Sequence, residues 1–81
     1  MDDAPLFRQI NELSNEEQEL WERAGDGDGL DTTEGERLER IRIELDQCYD
    51  LLRQRQGRRA AGLDPDDAAV RAPDIVENYQ Q

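Results

Sequence analysis

The sequence lacks several residue types on which common active-site chemistry depends. It contains no histidine, no lysine and a single cysteine, and only four of its 81 residues are aromatic. Without histidine, the usual general base and the commonest metal ligand are both missing. The sequence also has no glycine-rich phosphate loop and none of the carboxylate–histidine sets of di-iron bundles. We therefore expect a protein that is not an enzyme and that binds no metal or cofactor.

The single cysteine and the N-terminus bear on the cellular compartment. One cysteine cannot form an internal disulfide, which favours a reducing environment. The first ten residues, MDDAPLFRQI, contain neither the basic region nor the apolar region of a signal peptide. No stretch approaches the roughly 18 apolar residues that a membrane-spanning helix needs. The sequence thus predicts a cytoplasmic protein that does not enter a membrane.

The net charge of −11 is large for a chain of this size and is unevenly placed. Residues 1–36 carry 12 acidic residues and 2 arginines, residues 37–62 carry 4 and 7, and residues 63–81 carry 5 and 1. A field of this sign repels nucleic acid at long range and attracts basic surfaces. We expect no direct nucleic-acid binding, and a basic protein is a candidate partner.

The first periodic segment predicts an amphipathic helix over about residues 3–24. Apolar residues recur along it at helical spacing, with Glu17 occupying one position of the stripe. Either Asp2 or Asp3 can cap its start. A capping-box match at residues 14–17 leaves open a break and a second helix at that point. The apolar stripe consists of Leu6, Ile10, Leu13, Leu20 and Ala24.

A glycine-rich segment, AGDGDGLD at residues 24–31, ends this helix. Gly25 is the expected left-handed residue after the last turn. The alternating aspartates suggest a calcium loop, with Asp26 at position one and Asp28 at position three. That register lacks the glycine at position six and the glutamate at position twelve of such loops. We therefore interpret the segment as a solvated turn.

The second helix is predicted over about residues 32–61. Residues 31–34 form a capping box at its start, and residues 33–36 offer an alternative one. Gly62 is the expected stop signal. The apolar positions follow an unbroken heptad pattern of the coiled-coil type. They are Leu38, Ile41, Leu45, Cys48 and Leu52.

The sequence therefore predicts an all-α fold, an antiparallel two-helix hairpin with a partly ordered C-terminal tail. The loop between the two helices has only about six residues, so the helices must lie side by side and antiparallel. The hairpin comprises residues 1–62 and the tail residues 63–81. Within the tail, Asp64 caps and Pro65 starts a short helical turn, and a second turn is predicted over Pro73 to Tyr79.

Two helices bury one stripe each and leave apolar residues on their flanks exposed. Because so small a chain has a small core, we expect self-association, as a homodimer that forms a four-helix arrangement. The alternative is a monomer whose tail wraps back over the hairpin. The predicted interaction surface consists of Phe7, Trp21, Ile43, Tyr49, Leu51, Ile75, Val76 and Tyr79.

The second helix also holds residues that resemble reactive or binding groups. Cys48 lies on the heptad seam among acidic neighbours that raise a thiol pKa, so we interpret it as a packing residue. Glu17 faces the same seam from the first helix, and Arg37 or Arg40 is its hypothetical partner. Four arginines near the end of the second helix are expected to face the acidic start of the first one rather than a nucleic acid. They are Arg53, Arg55, Arg58 and Arg59.

A family resemblance covers nearly the whole chain. The core LDQCYDLLRQR, followed by DPD and by VRAP, resembles small actinobacterial proteins catalogued as domain of unknown function 2630. INELSNEEQELWERA in the first helix is similar to the same family. The resemblance implies a cytoplasmic bacterial protein of about this size, and it implies no activity or ligand.

These observations favour a non-enzymatic protein–protein interaction module or scaffold that acts as a homodimer. The alternative is an acidic decoy or anti-factor that binds a basic surface of a nucleic-acid-binding protein. The two hypotheses differ in salt dependence, because apolar association tolerates salt and charge attraction does not.

Overall fold

The computed structural model describes residues 2–25 and 29–79, the last three of these by their backbone alone. Three α-helices occupy this part of the chain: α1 at Ala4–Gly25, α2 at Thr32–Ala60 and α3 at Pro73–Tyr79. A single 3-10 turn at Pro65–Asp67 lies between α2 and α3. The described residues include no β-strand. The predicted all-α class, with two long helices and a short tail, is confirmed.

Helix α1 is continuous, so the break considered at residues 14–17 does not occur. At its start, the backbone N–H of Ala4 donates to Asp2 Oδ1 at 3.0 Å. At its end, the prediction that Gly25 is left-handed is wrong, because Gly25 is the last helical residue. The positive φ of 69° belongs to Gly29 instead. The Asp26 and Asp28 of the proposed turn lie outside the described residues.

Helix α2 begins and ends with the local signals that the sequence carries. Asp31 Oδ1 accepts from the N–H of Glu34 at 2.8 Å, and Glu34 Oε1 accepts from the N–H of Asp31 at 3.3 Å. This capping box is the first of the two predicted ones. After the last turn, Gly62 has a φ of 76°. The Leu63 N–H donates to the Arg58 carbonyl at 2.8 Å, which completes a Schellman-type stop.

Three ion pairs define the antiparallel register of α1 and α2. Arg59 Nη2 lies 2.6 Å from Asp3 Oδ1, at the start of α1. Arg37 Nε lies 2.5 Å from Glu16 Oε2, near the middle of α1. Arg23 Nη1 lies 3.5 Å from Glu34 Oε2, beside the loop. The partner moves back along α2 as the position advances along α1, as an antiparallel hairpin requires.

The core is a single cluster between the two long helices. Ile41, which is fully buried, lies near its middle, and Leu52 is half-buried at its edge. Full burial of each such aliphatic side chain stabilises the fold by roughly 1.5–3 kcal/mol. The predicted stripe and seam supply every buried member of the cluster. They are Leu6, Ile10, Leu13, Leu20, Leu38, Ile41, Leu45 and Cys48.

Glu17 does not form the ion pair that was expected of it. Arg37 pairs with Glu16, and the Nε of Arg40 lies 3.7 Å from Glu44 Oε1 on its own helix. The hypothesis that Arg37 or Arg40 holds Glu17 is therefore wrong. Glu16 lies beside the apolar stripe, on the flank that a long arginine side chain can reach without leaving water.

The C-terminal tail folds back along its own hairpin and packs against α2. Asp64 Oδ1 accepts from the N–H of Asp66 at 2.9 Å, and Pro65 is the first residue of the 3-10 turn, as predicted. Residues 68–72 have no regular secondary structure, and α3 follows them. The Cα atoms of the molecule span 51 × 26 × 16 Å, so it is long and flat.

Candidate functional site

Three exposed aromatic side chains lie on one side of the hairpin. Phe7 is 48% exposed, Trp21 59% and Tyr49 44%. Phe7 and Trp21 are 14 residues apart on α1, close to four full turns, so they share a face. Tyr49 follows Arg42 by two turns of α2, and Arg42 lines the same groove as Trp21. We call Phe7, Trp21 and Tyr49, with this groove, the aromatic face.

The groove of the aromatic face has a volume of about 340 Å³. Trp21 forms one wall, and Leu30 and Leu38 contribute further apolar surface. Gly35 leaves the groove open on the α2 side, because a Cβ built there meets no atom within 4 Å. The rim is polar and consists of Glu17, Glu39 and Arg42. An apolar interior with a charged rim suits a hydrophobic side chain from another protein.

Three further residues of the predicted interaction surface, Ile43, Leu51 and Ile75, do not belong to this face. Leu51 is half-buried against the core. Ile43 is half-buried and lies two turns before Asp50, on the side of α2 that the tail covers. Ile75 is 50% exposed on α3. The Tyr79 side chain lies outside the described residues.

Val76 is a correction to the predicted surface. Its side chain is 1% exposed, because α3 packs it against the hairpin. The sequence leaves open whether the apolar tail residues dock on their own hairpin or on a second chain, and Val76 docks on its own hairpin. Val76 therefore serves as the apolar anchor of the tail.

A polar site on α2, which no pattern in the sequence indicated, holds the tail. Gln47 Nε2 donates to the Arg71 carbonyl at 3.1 Å, and Gln54 Nε2 donates to the Ala69 carbonyl at 2.9 Å. Between them, Asp50 accepts two hydrogen bonds from the Arg71 guanidinium, one of them from Nε at 2.9 Å. We call Gln47, Asp50 and Gln54 the α2 ledge. Their spacing of three and four residues places them on one face of the helix.

Asp50 is the most unusual residue of the ledge. It is a carboxylate with 2% exposure, and burial of an anion is unfavourable unless it is paired. Hydrogen bonds from Arg71 and then from Gln54 lower the pKa of Asp50 below its ordinary value, against the opposite effect of burial. The pairing leaves Asp50 ionised and ties the segment before α3 to α2.

The arginines at the end of α2 also form internal contacts. Arg55 Nε lies 2.6 Å from Asp3 Oδ1, and Arg59 binds both oxygens of the same carboxylate. Hydrogen bonds from Arg59 and then from Arg55 lower the pKa of Asp3 to about 2. Arg58 turns to the tail and donates from Nε to the Asp64 carbonyl at 2.5 Å. The expectation that this group faces the acidic start of α1 is confirmed for Arg55 and Arg59.

Cys48 has the structural position that its seam spacing predicts. It belongs to the core cluster and is 5% exposed. Burial, and then the nearby Glu44 carboxylate, raises the pKa of its thiol. Among residues 2–25 and 29–76, no group of three acidic or cysteine side chains is placed to hold a metal ion. No helix in the described part of the chain is long and apolar enough to cross a membrane.

Comparison with known proteins identifies relatives of the whole chain. The family model described as "Protein of unknown function (DUF2630)" matches residues 2–81. The chain belongs to this family. Uncharacterized proteins of Mycobacterium tuberculosis and Mycobacterium bovis are 44% identical to it over 77 residues, which cover 95% of this chain and 88% of theirs. No solved structure matches the chain. The resemblance found in the sequence is confirmed, and the relatives are bacterial.

Proposed function

We propose that this protein is a non-enzymatic protein–protein interaction module that acts as a homodimer through its aromatic face. One observation supports this most directly. Three of the four aromatic residues of the chain lie on one face and are about half exposed. A patch of this kind on a small protein marks an interface more often than it marks ordinary surface.

The flat shape of the molecule supports the same proposal. Domains consist of two packed layers of secondary structure around a core, and this hairpin supplies one. Its broad faces measure up to 51 × 26 Å, which exceeds the roughly 800 Å² per partner that a standard interface buries. A second copy on the aromatic face supplies the missing layer and completes a four-helix arrangement.

The aromatic face is also complementary to itself. The register of the hairpin places Tyr49 level with Phe7, and Trp21 with its groove lies about 21 Å further along α1. A two-fold axis that lies in the plane of the face, perpendicular to the helices and midway between these ends, exchanges them. Each copy then inserts Phe7 and Tyr49 toward the Trp21 groove of the other.

Sedimentation velocity over a concentration series tests the proposal. We expect a dimer of the full chain that persists in about 1 M salt, because its association is apolar. Trp21→Lys should give a monomer whose helix content, measured by circular dichroism, is unchanged. The matched control is Ile75→Ser, which removes an equally exposed apolar residue from α3 and should leave the dimer intact. A wild-type monomer at every concentration, or a Trp21→Lys dimer, contradicts the proposal.

A second candidate function rests on the outer face of α1. Glu12, Glu19 and Glu22 are exposed there at helical spacing, in a chain of net charge −11. Such a face suits an acidic decoy that occupies the basic surface of a nucleic-acid-binding protein. A complex with a basic protein that dissociates in about 0.5 M salt supports this candidate, and Glu12→Gln/Glu19→Gln should weaken it.

A further inference from the structure

The α2 ledge has the features of a peptide-recognition site. Gln47 and Gln54 bind the main-chain carbonyls of Arg71 and Ala69, and such contacts accept many side chains. Asp50 binds the Arg71 guanidinium through two hydrogen bonds, which specify an arginine. Two backbone contacts with one charged contact between them suit a peptide segment outside regular secondary structure that carries an arginine.

The burial of Asp50 determines what can occupy the ledge. With 2% exposure, this carboxylate has little access to water. If Arg71 left, Gln54 would remain as a neutral donor at 2.9 Å. A buried carboxylate that has one neutral hydrogen-bond donor and no cation beside it is unfavourable. An empty ledge should therefore bind a ligand that carries a positive charge.

A second contact extends the recognised segment. Val76 follows Arg71 by five residues and is 1% exposed. In contrast, Val70 is 61% exposed and Ile75 is 50% exposed. The recognised features are therefore an arginine in the segment before α3 and one aliphatic side chain in the middle of α3.

The tail can leave the ledge without opening the core. Among the described residues, no member of the core cluster belongs to the tail, and α3 and the 3-10 turn pack against α2. The tail also starts just after Gly62, whose φ of 76° ends α2. A segment that docks as a unit beyond such a junction can be exchanged between two copies at little cost.

We propose that the α2 ledge is a binding site for the tail of a second copy of this chain, and that residues 69–76 of the same chain fill it in cis. This inference goes beyond the proposed function, because it uses a different surface. Tyr49 and Asp50 are consecutive on α2 and point about 100° apart, so the aromatic face and the ledge can be occupied together. A short tether gives the cis tail an effective concentration of roughly millimolar, which masks the site from a free peptide.

Fluorescence anisotropy with a labelled peptide of residues 63–79 tests this inference. The receptor is the full-length variant Arg71→Ala/Val76→Asp, in which the cis tail loses its ion pair with Asp50 and its buried aliphatic side chain. We expect it to bind the peptide at least about tenfold more tightly than the wild-type protein does, because its ledge is vacant. Adding Asp50→Asn to this variant should weaken binding at least about tenfold. A matched peptide that carries Arg71→Ala should bind the Arg71→Ala/Val76→Asp protein as weakly as the unchanged peptide binds the receptor with Asp50→Asn.

Three results overturn the inference. They are no binding by the tail-detached variant, equal binding of the two peptides, and binding that Asp50→Asn leaves unchanged. If the variant loses its helix content, the wild-type protein provides the test. Excess unlabelled peptide should then accelerate amide hydrogen exchange at residues 69–76 of the isotope-labelled protein, and unchanged exchange there also contradicts the inference.

Discussion

Asp50 of α2 and Arg71 of the tail form an ion pair with two hydrogen bonds, although 21 residues of chain separate them. The carboxylate is 2% exposed and the guanidinium side chain is 37% exposed. This pair, with the backbone contacts of Gln47 and Gln54, holds the segment between the 3-10 turn and α3 in place. The docked tail in turn covers one side of α2.

Loss of the Asp50 carboxylate should release the tail. We expect Asp50→Ala to lower the free energy of unfolding by about 1–3 kcal/mol, because Arg71 and Gln54 lose a buried charged partner. Urea unfolding monitored by circular dichroism measures this change. Amide hydrogen exchange at residues 69–76 should accelerate, while exchange around Ile41 should not.

A double-mutant cycle separates this pair from general effects of charge removal. Arg71→Ala should add little to Asp50→Ala, since both remove the same contact. The matched control is Asp46→Asn, which removes the exposed pair with Arg42 on the same helix. It should change the free energy of unfolding by less than about 1 kcal/mol. Additive effects of Asp50→Ala and Arg71→Ala would show that the two residues do not act as a pair.

The Asp3 carboxylate should make stability depend on pH in the acid range. Its pKa in the folded protein is about 2, compared with an ordinary value of 3.8. Because the folded pKa is the lower one, the stabilisation is complete above pH 3.8 and is lost as the pH falls toward 2. Thermal unfolding measured between pH 7 and pH 2 should show a lower melting temperature on the acid side.

Asp3→Asn is the variant that assigns this pH dependence. It should melt at a lower temperature than the wild-type protein at pH 7, because Arg55 and Arg59 lose their shared carboxylate. The difference between the two proteins should shrink as the pH falls toward 2. Asp74→Asn, a change at an exposed residue of α3, should leave the dependence of the melting temperature on pH the same as in the wild-type protein. A constant difference between Asp3→Asn and wild type would rule out the assigned titration.

Replacement of Glu17 by leucine should stabilise the hairpin. Glu17 occupies a position of the apolar stripe and is half-buried, and Arg37 pairs with the neighbouring Glu16. A leucine there can pack beside Leu38 and should raise the free energy of unfolding by about 1 kcal/mol. Thermal unfolding measures this change in stability. It is carried out at low protein concentration, so that self-association does not contribute.

The matched control for this variant is Glu12→Leu. Glu12 is exposed on the outer face of α1, so the same chemical change there should alter the free energy of unfolding by less than about 0.5 kcal/mol. A marked loss of stability in Glu17→Leu, with no loss in Glu12→Leu, would indicate a specific role for the Glu17 charge.

Local patterns were sufficient to predict most of the hairpin. The capping box at Asp31 and the stop at Gly62 are made by residues within a few positions of each other. The heptad spacing likewise identified Cys48 as a core residue. Gly25 shows the limit of such patterns, because a glycine-rich segment offers several positions for a positive φ, and the structure uses Gly29.

The candidate surfaces were only partly predictable. Exposure of Phe7, Trp21 and Tyr49 follows from their positions off the seam. The α2 ledge could not be found in this way, because 21 acidic residues and 10 arginines allow many pairings. No local pattern distinguishes Asp50 with Arg71 from the others. The burial of Asp50 could be recognised only once the position of the tail on α2 was known.

The sequence by itself determined the two long helices, their antiparallel arrangement and the stripe that each buries. Helix periods, caps and a short loop are local properties, and they act before any distant contact forms. Only the tertiary structure decided that Val76 is buried, that Glu16 rather than Glu17 holds Arg37, and that the tail lies on α2. These outcomes depend on which distant side chains come within hydrogen-bond reach, and that is a property of the packed chain.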